Sequence, residues 1–229
     1  EIHPDHFFDI ILVAIQIAIK HSEPLKRWGT VHNLFLLKEQ GNYKIHRLRF
    51  LHKIDAELNL VRREMVARRL MKNSERHNYI VDEQYGGRNG RAASDVVLLK
   101  EFTLAIMHMQ RSNGAITDCD AKACYDRILA IIAALTNFKA GLPEHLCTFF
   151  AKALKQMRYH MVTAYGVSEE ANQHYDEDPI HGLGQGSTDG PSGWNQVSNV
   201  TIKAHNKQAN GSTIQDPTRS IKVKRSTIL

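Results

Sequence analysis

The stretch AITDCDAKACYDRILAII, residues 115–132, begins as a short apolar run, carries acidic residues at 118, 120 and 126, and ends in an apolar helical pattern. Carboxylates that crowd at the end of a buried strand repel one another, so a stable fold must offset their charge. A divalent metal ion held by oxygen ligands is the first candidate. The pattern predicts a strand over about 115–120 that ends at Asp120, and a helix over about 126–138.

Asp120 and its neighbour Ala121 are the candidate metal ligands in this stretch. A carboxylate at the strand end and the backbone carbonyl of Ala121 would supply two hard oxygen ligands. Mg²⁺ prefers such ligands and keeps waters for substrate phosphates. The alternative is that Asp120 caps the helix that starts near Cys124, because aspartate is a favoured N-cap residue. Both interpretations remain open on this stretch alone.

The composition is that of an ordinary globular protein. The chain has 229 residues, of which 42% are hydrophobic and 24% charged, and its net charge of +6 fits a polyanion-binding surface without requiring one. The three cysteines form no CxxC pair and the histidines lack zinc-site spacing, so we expect neither a disulfide framework nor a zinc site. The apolar run over 7–19 is too short to span a bilayer, and no signal-peptide pattern is visible. We therefore expect an intracellular protein, cytoplasmic or nuclear, with no membrane partner.

The predicted elements follow one another in a mixed order, which favours the α+β class over a regularly alternating α/β fold. Helical spacing over 5–21 predicts a core helix that buries Phe8, Ile11, Leu12, Ile15 and Ile19. The remaining predicted elements are a basic hairpin over 30–52, a helix over 53–76, a helix after Asp95, a helix with Pro143 in its first turn, a strand over 159–166, a long polar loop that becomes glycine-rich before a helix near 190, and a strand near the C-terminal end.

Three further segments have the composition of binding sites. HGLGQGSTDGPSGW, residues 181–194, surrounds Gln185 with glycines that allow a ligand to approach the backbone, although such loops are usually plain turns. QYGGRNGRAASD, residues 84–95, places two arginines on a glycine loop, where they bind phosphate or remain solvated. The hairpin LLKEQGNYKIHRLR, residues 36–49, carries several basic side chains that could reach a triphosphate or a nucleic-acid backbone.

The order of these segments resembles one known family. A basic hairpin, QYGGRNGR, DAKACYD and GLGQGS follow one another as in the reverse transcriptases of non-LTR retrotransposons and group II introns. Those polymerases carry the motifs QxGFRxGRS, DxxxAFD and GxxQGxxxSP, and the resemblance covers about residues 25–200. It implies a right-hand polymerase fold with fingers and a partial palm but no thumb. The implied regions are an N-terminal helix (1–24), fingers with the basic hairpin (25–110), a partial palm (111–205) and a basic tail that starts a further palm strand (206–229).

The resemblance also implies a role for each matching residue. Asp120, with the Ala121 carbonyl, corresponds to the catalytic metal-binding aspartate of the palm. Tyr125 corresponds to the aromatic residue that favours deoxynucleotides over ribonucleotides, which differ in the sugar 2′-hydroxyl. Asp126 corresponds to an acid that is more often structural. The other implied contacts are Gln185 and Gly186 with the nucleotide and template, Lys38 and Arg49 with the triphosphate, Arg47 as a rival for the place of Arg49 or a nucleic-acid contact, and Arg88 and Arg91 with the primer–template.

The reaction that the resemblance implies is RNA-templated DNA synthesis by two-metal nucleotidyl transfer, with Mg²⁺ or Mn²⁺ as cofactor. The implied partners are an RNA template, a DNA primer and deoxynucleoside triphosphates. The family also needs an aromatic-x-Asp-Asp hairpin after the glutamine–glycine motif, and the sequence has no clear match. The nearest, Tyr175–Asp178, precedes Gln185.

Two expectations follow from the missing hairpin. The chain starts at Glu1 and ends in SIKVKRSTIL, about where the strand before that hairpin would begin. We therefore expect a truncated polymerase that is inactive alone. The alternatives are a non-catalytic module that binds RNA or primer–template, and an unrelated α+β domain with these motifs by chance.

Overall fold

The computed structural model describes residues 4–44, 47–111, 116, 121, 124–175, 177, 182–208, 212–214 and 223–225. Within these residues the helices are α1 (Pro4–Lys20), α2 (Ala56–Arg62), α3 (Met71–Arg76), α4 (Ala93–Met109), α5 (Ala130–Lys139), α6 (Glu144–Lys155) and α7 (Gly190–Gln208), and the strands are β1 (Thr30–Leu37), β2 (Leu48–Lys53), β3 (Arg158–Thr163), β4 (Gly166–Gln173), β5 (Ser212–Ile214) and β6 (Val223–Arg225). A π-helical segment, Arg63–Leu70, joins α2 to α3. This mixture confirms the predicted α+β class.

Two antiparallel hairpins form the four-stranded sheet, in the order β2-β1-β3-β4. The β1–β2 hairpin is the basic hairpin that the sequence predicts, and it places Phe35 opposite Phe50. The central pair, β1 and β3, is parallel and runs from Thr30 opposite Arg158 to Leu34 opposite Val162. Strands far apart in the chain therefore form the middle of the sheet.

The polar segment that follows Gly166 is strand β4, so its prediction as a loop was wrong. β4 lies at the edge of the sheet and most of its side chains are exposed, which is why it lacks the apolar alternation of a half-buried strand. The Ser168 hydroxyl accepts a hydrogen bond from the Met161 backbone N–H, at 2.9 Å, and donates one to the Glu170 carbonyl, at 2.7 Å. Polar contacts rather than apolar burial hold this strand.

The main core lies between the sheet and helices α1, α2 and α6. Trp28 and Phe149 meet edge to face, with ring centroids 6.1 Å apart, and Leu58 from α2 is fully buried in the same cluster. The Trp28 indole N–H donates to the Glu57 carboxylate at 3.0 Å, so its one polar atom is satisfied. The core draws on residues from each of the first three predicted regions, which therefore share one packed interior.

Helix α1 matches its predicted position but only part of its predicted core face. Ile15 is buried and Ile11 and Ile19 pack against the core, whereas Phe8 and Leu12 are 67% and 53% exposed. Only the second half of this helix therefore contributes strongly to the core. In the described part of the chain, none of the helices combines the length and the hydropathy that crossing a bilayer requires.

Leu58 and Leu60, two residues apart in the same helix, provide a matched test of this core. We expect Leu58→Ala to lower the free energy of unfolding by about 2–5 kcal/mol, because it opens a cavity in the packed interior. Leu60 is 52% exposed, so Leu60→Ala should cost less than about 1 kcal/mol. Urea denaturation followed by circular dichroism measures both values, and equal losses would contradict the described packing.

Candidate functional site

The glycine-rich loop after residue 181 lies directly against the segment that follows the proposed metal ligands. The Leu183 N–H donates to the Tyr125 carbonyl and the Gly182 N–H donates to the Ile128 carbonyl, each at 2.8 Å. Gly182 has φ +114°, and a Cβ there would lie 2.9 Å from Asp126 Cα, so the close approach requires glycine. Two of the predicted motifs therefore pair through their backbones.

This pairing explains why the helix after Tyr125 starts later than predicted. The sequence predicts it from about residue 126, but α5 begins at Ala130. Cys124–Arg127 forms one 3₁₀ turn instead, and Leu129 is extended. Because the glycine loop occupies the Tyr125 and Ile128 carbonyls, the chain here is held outside a regular α-helix.

Gln185 and Gly186 form a turn that joins three parts of the chain. The Gln185 side-chain amide donates to the Asp126 carboxylate at 2.7 Å, and its backbone carbonyl accepts from the His52 N–H, also at 2.7 Å. Gly186 has φ +106°, and a Cβ there would lie 2.8 Å from the His52 carbonyl oxygen. The glutamine–glycine turn is thereby fixed between strand β2 and Asp126.

Arg62 lies beneath the loop and ties its two ends together. Its Nε is 2.9 Å from Asp189 Oδ1 and its Nη2 donates to the Leu183 carbonyl at 2.8 Å, while both charged side chains are less than a tenth exposed. The Ser187 hydroxyl also donates to Asp189, at 2.8 Å. Buried charge pairs need such additional hydrogen bonds to offset their lost hydration.

Arg62 is not among the site residues that the sequence predicts. It lies four residues after Leu58 and four before Val66, on the apolar face of a helix that carries five arginines. Helical spacing alone would have placed this one arginine in the interior. Asp189, in the glycine-rich segment, gave no corresponding periodic signal.

His52 is a second residue of the site that the sequence does not predict. Burial lowers its pKa below the ordinary value of 6.5; nearby Asp126 opposes this effect and nearby Arg62 adds to it. Its ring meets that of Tyr159 edge to face at 5.2 Å, and within the described part of the chain Nδ1 has no hydrogen-bond partner. Burial likewise raises the pKa of Tyr159 and of Tyr125. The site thus favours the uncharged form of all three rings.

The predicted arginines of the loop over 84–91 have partners within the protein. Arg88 has a side chain only 5% exposed, pairs with Glu75 at 2.6 Å, and donates to the carbonyls of Val81 and Gln84. Arg91 pairs with Asp82 at 2.8 Å and stacks over Tyr85, and it is a quarter exposed. In this structure Arg88 stabilises the loop, whereas Arg91 keeps some contact with solvent.

The basic residues of the hairpin are exposed. Arg49 lies on β2, three residues before the His52 that binds the glutamine–glycine turn, and Lys38 directly follows β1. Arg47 is exposed as well, with a distant contact of 3.9 Å to Glu39. The hairpin therefore presents positive charge on the strand that borders the turn.

The acidic stretch enters the described structure only in part. Asp120, Asp118 and most of the predicted strand over 115–120 lie outside the described residues, as does Asp178 of the Tyr175–Asp178 segment. Ala121 is exposed and belongs to no helix or strand. Among the residues that are described, no three acidic, histidine or cysteine side chains are close enough to hold a metal ion.

Comparison of the chain with protein-family models gives no match, and comparison with curated proteins gives no significant match.

Loss of the Asp189 carboxylate should be strongly destabilising, because Asp189→Ala leaves the Arg62 charge buried without its partner. We expect the free energy of unfolding to fall by about 3–5 kcal/mol. Replacing both residues, as Arg62→Met with Asp189→Leu, should recover much of this loss. Glu64→Ala, which breaks the more exposed pair with Arg68, is the control and should cost at most about 0.5 kcal/mol. Urea denaturation measures all three, and equal costs for Asp189→Ala and Glu64→Ala would contradict the buried pair.

His52 predicts a pH dependence of stability. Its pKa is lower in the folded than in the unfolded chain, so the unfolded chain binds the extra proton more readily. The stability that neutral His52 contributes is therefore complete above pH 6.5 and is lost as the pH falls below that value. We expect the free energy of unfolding to decline less between pH 7.5 and about pH 5 for His52→Phe than for the unaltered chain. Equal declines in urea denaturation at each pH would exclude this role.

Proposed function

We propose that this chain is the fingers and part of the palm of a retroelement-type reverse transcriptase, which holds an RNA template, a DNA primer and a deoxynucleoside triphosphate. The observation that carries the proposal is the Gln185–Asp126 hydrogen bond at 2.7 Å. The two residues belong to separate sequence motifs, and a chance occurrence of those motifs gives no reason for them to meet. The proposal rests on this convergence and on the motif order.

The surroundings of the glutamine–glycine turn support a nucleotide-binding role. Gly186 is exposed, and strand β2 beside it carries the exposed Arg49. A guanidinium offers several donors in a planar fork that matches phosphate oxygens. The aromatic ring of Tyr125 lies under the same loop, where a Cβ on Gly190 would be 3.7 Å from it. The positive charge suits the triphosphate, the open backbone turn suits the template base, and the aromatic ring suits the sugar of the nucleotide.

Asp120 and the Ala121 carbonyl would hold a divalent ion in this proposal, and the ion would supply charge stabilisation for nucleotidyl transfer. Two features of the described residues are compatible with a metal site here. Ala121 is exposed, and Asp126 binds Gln185 and so acts as a positioning residue. The 229 residues contain no aromatic-x-Asp-Asp motif after Gln185. We therefore propose that this segment binds its substrates but does not by itself polymerise.

Binding of a primer–template duplex tests the proposal directly. We expect the chain to bind an RNA template annealed to a DNA primer with an affinity that falls linearly on a logarithmic salt scale, because phosphate contacts release counterions. Lys38→Ala and Arg49→Ala should each reduce the slope by about one. Lys20→Ala, which removes an exposed cation at the end of α1, is the control and should leave the slope unchanged. Fluorescence anisotropy measures these values, and an absence of salt-dependent binding would overturn the proposal.

Nucleotide binding separates the polymerase from a purely nucleic-acid-binding module. Asp120→Asn should leave duplex binding unchanged but abolish the Mg²⁺-dependent binding of a deoxynucleoside triphosphate, because it removes a metal ligand. Tyr125→Ala should reduce the preference for dATP over ATP, since the ring no longer crowds the 2′-hydroxyl. Calorimetric titration with and without Mg²⁺ measures both effects. If the chain binds the duplex but no nucleotide, the binding-module alternative is correct.

A further inference from the structure

A cavity of about 460 Å³ lies beside the candidate site and shares Tyr125 with it. Its walls come from the loop at 84–87, the first two turns of α4, the Cys124–Tyr125 segment and the first two turns of α7. This volume is within the range of about 300–1,000 Å³ that is typical of small-molecule sites. The cavity is therefore large enough for a ligand of two or three fused rings.

The chemistry of the walls restricts the ligand to an uncharged, flat molecule. Three aromatic rings, those of Tyr85, Tyr125 and Trp194, line the cavity together with the apolar side chains of Val96 and Val97. The described residues that line it include no acidic or basic side chain. A charged ligand would lose its hydration here without gaining an opposite charge, whereas flat rings stack favourably on aromatic side chains.

Asn195 supplies a specific polar contact at the wall. The residue is 1% exposed, and its Oδ1 accepts a hydrogen bond from Gln84 Nε2 at 2.8 Å. Among the residues that the structure describes, its Nδ2 has no hydrogen-bond partner. A buried donor without an acceptor is costly, and a ligand that presents an acceptor would remove that cost. An ordinary packing void lined by apolar atoms would not leave such a donor at its wall.

We propose that this cavity binds a flat, uncharged heteroaromatic ring whose nitrogen or carbonyl accepts a hydrogen bond from Asn195 Nδ2. The ring enters past Ala93 and Val97, both of which are exposed at the start of α4. The Gln185 side chain is engaged with Asp126 and does not line the cavity. The ligand therefore lies beside the position of the proposed triphosphate, and the two positions share only the Tyr125 ring among the residues named for them. The inference rests on the cavity and on Asn195, so it does not depend on the polymerase proposal.

Quinoline and naphthalene form a matched pair of probes, because they share a shape and differ by one ring nitrogen. We expect quinoline to bind the full chain at neutral pH and naphthalene to bind about three- to tenfold more weakly, as the loss of one hydrogen bond implies. Ligand-observed saturation-transfer NMR detects both probes. Quenching of tryptophan fluorescence that is lost in Trp194→Phe, which leaves Trp28 in the core, identifies the ring that the ligand contacts.

Two variants at neighbouring positions test the location of the site. Ala93→Phe places a ring at the mouth of the cavity and should weaken quinoline binding at least about tenfold. Ser94→Phe, at the adjacent exposed residue that does not line the cavity, should leave it unchanged. Both positions are at the surface, so neither change disturbs packing, and a thermal melt checks this.

Asn195→Leu tests the donor, and it should make the affinities for quinoline and naphthalene equal. The proposal is overturned if quinoline does not bind, if Ala93→Phe and Ser94→Phe bind it equally well, or if naphthalene binds the unaltered chain as tightly as quinoline. If Asn195→Leu fails to fold, the probe pair on the unaltered chain and the Ala93→Phe and Ser94→Phe variants still decide the question.

Discussion

The guanidinium of Arg62 is the interaction on which the geometry of the candidate site depends. It holds Leu183 and Asp189, the two ends of the glycine loop, from a helix of the main core. With its ends fixed, the loop can present Gln185 to Asp126 and its backbone to β2. Glycines alone would give the loop freedom to adopt many conformations. The buried charge pair favours one of them, as buried polar groups do in some other proteins.

The parts of the fold that depend on local patterns could be predicted from the sequence. The β1–β2 hairpin follows from its alternating residues and glycine turn, and α6 follows from a segment with Pro143 at its start. β4 could not be predicted in this way, because an edge strand with polar side chains resembles a loop in its composition. The late start of α5 was also inaccessible. It results from hydrogen bonds with residues more than fifty positions away, which no local pattern encodes.

In the candidate site, too, local sequence patterns predict some residues and not others. The motifs identified Gln185, Tyr125 and the hairpin. The structure brings these together, because Gly182 and Gly186 let the loop backbone approach the Tyr125 segment and strand β2 closely. Arginines were harder to interpret. In the sequence, Arg88 and Arg49 both lie in segments whose composition suggests phosphate binding. In the structure, Glu75 and two backbone carbonyls surround Arg88, whereas Arg49 is exposed to solvent. Whether an arginine is paired inside the fold or exposed to solvent depends on its neighbours in the tertiary structure. The spacing of residues in the sequence does not reveal those neighbours.

The parallel pairing of β1 with β3 has a consequence for how the chain acquires its structure. Thr30 pairs with Arg158, which lies far along the chain. The hydrogen bonds between β1 and β3 therefore form only after a large loop has closed, and this slows folding. During synthesis, one edge of β1 in the β1–β2 hairpin stays unpaired until β3 has left the ribosome. An unpaired edge invites association with other strands. A shortened polypeptide that stops before residue 158 should therefore aggregate rather than fold as an independent N-terminal unit.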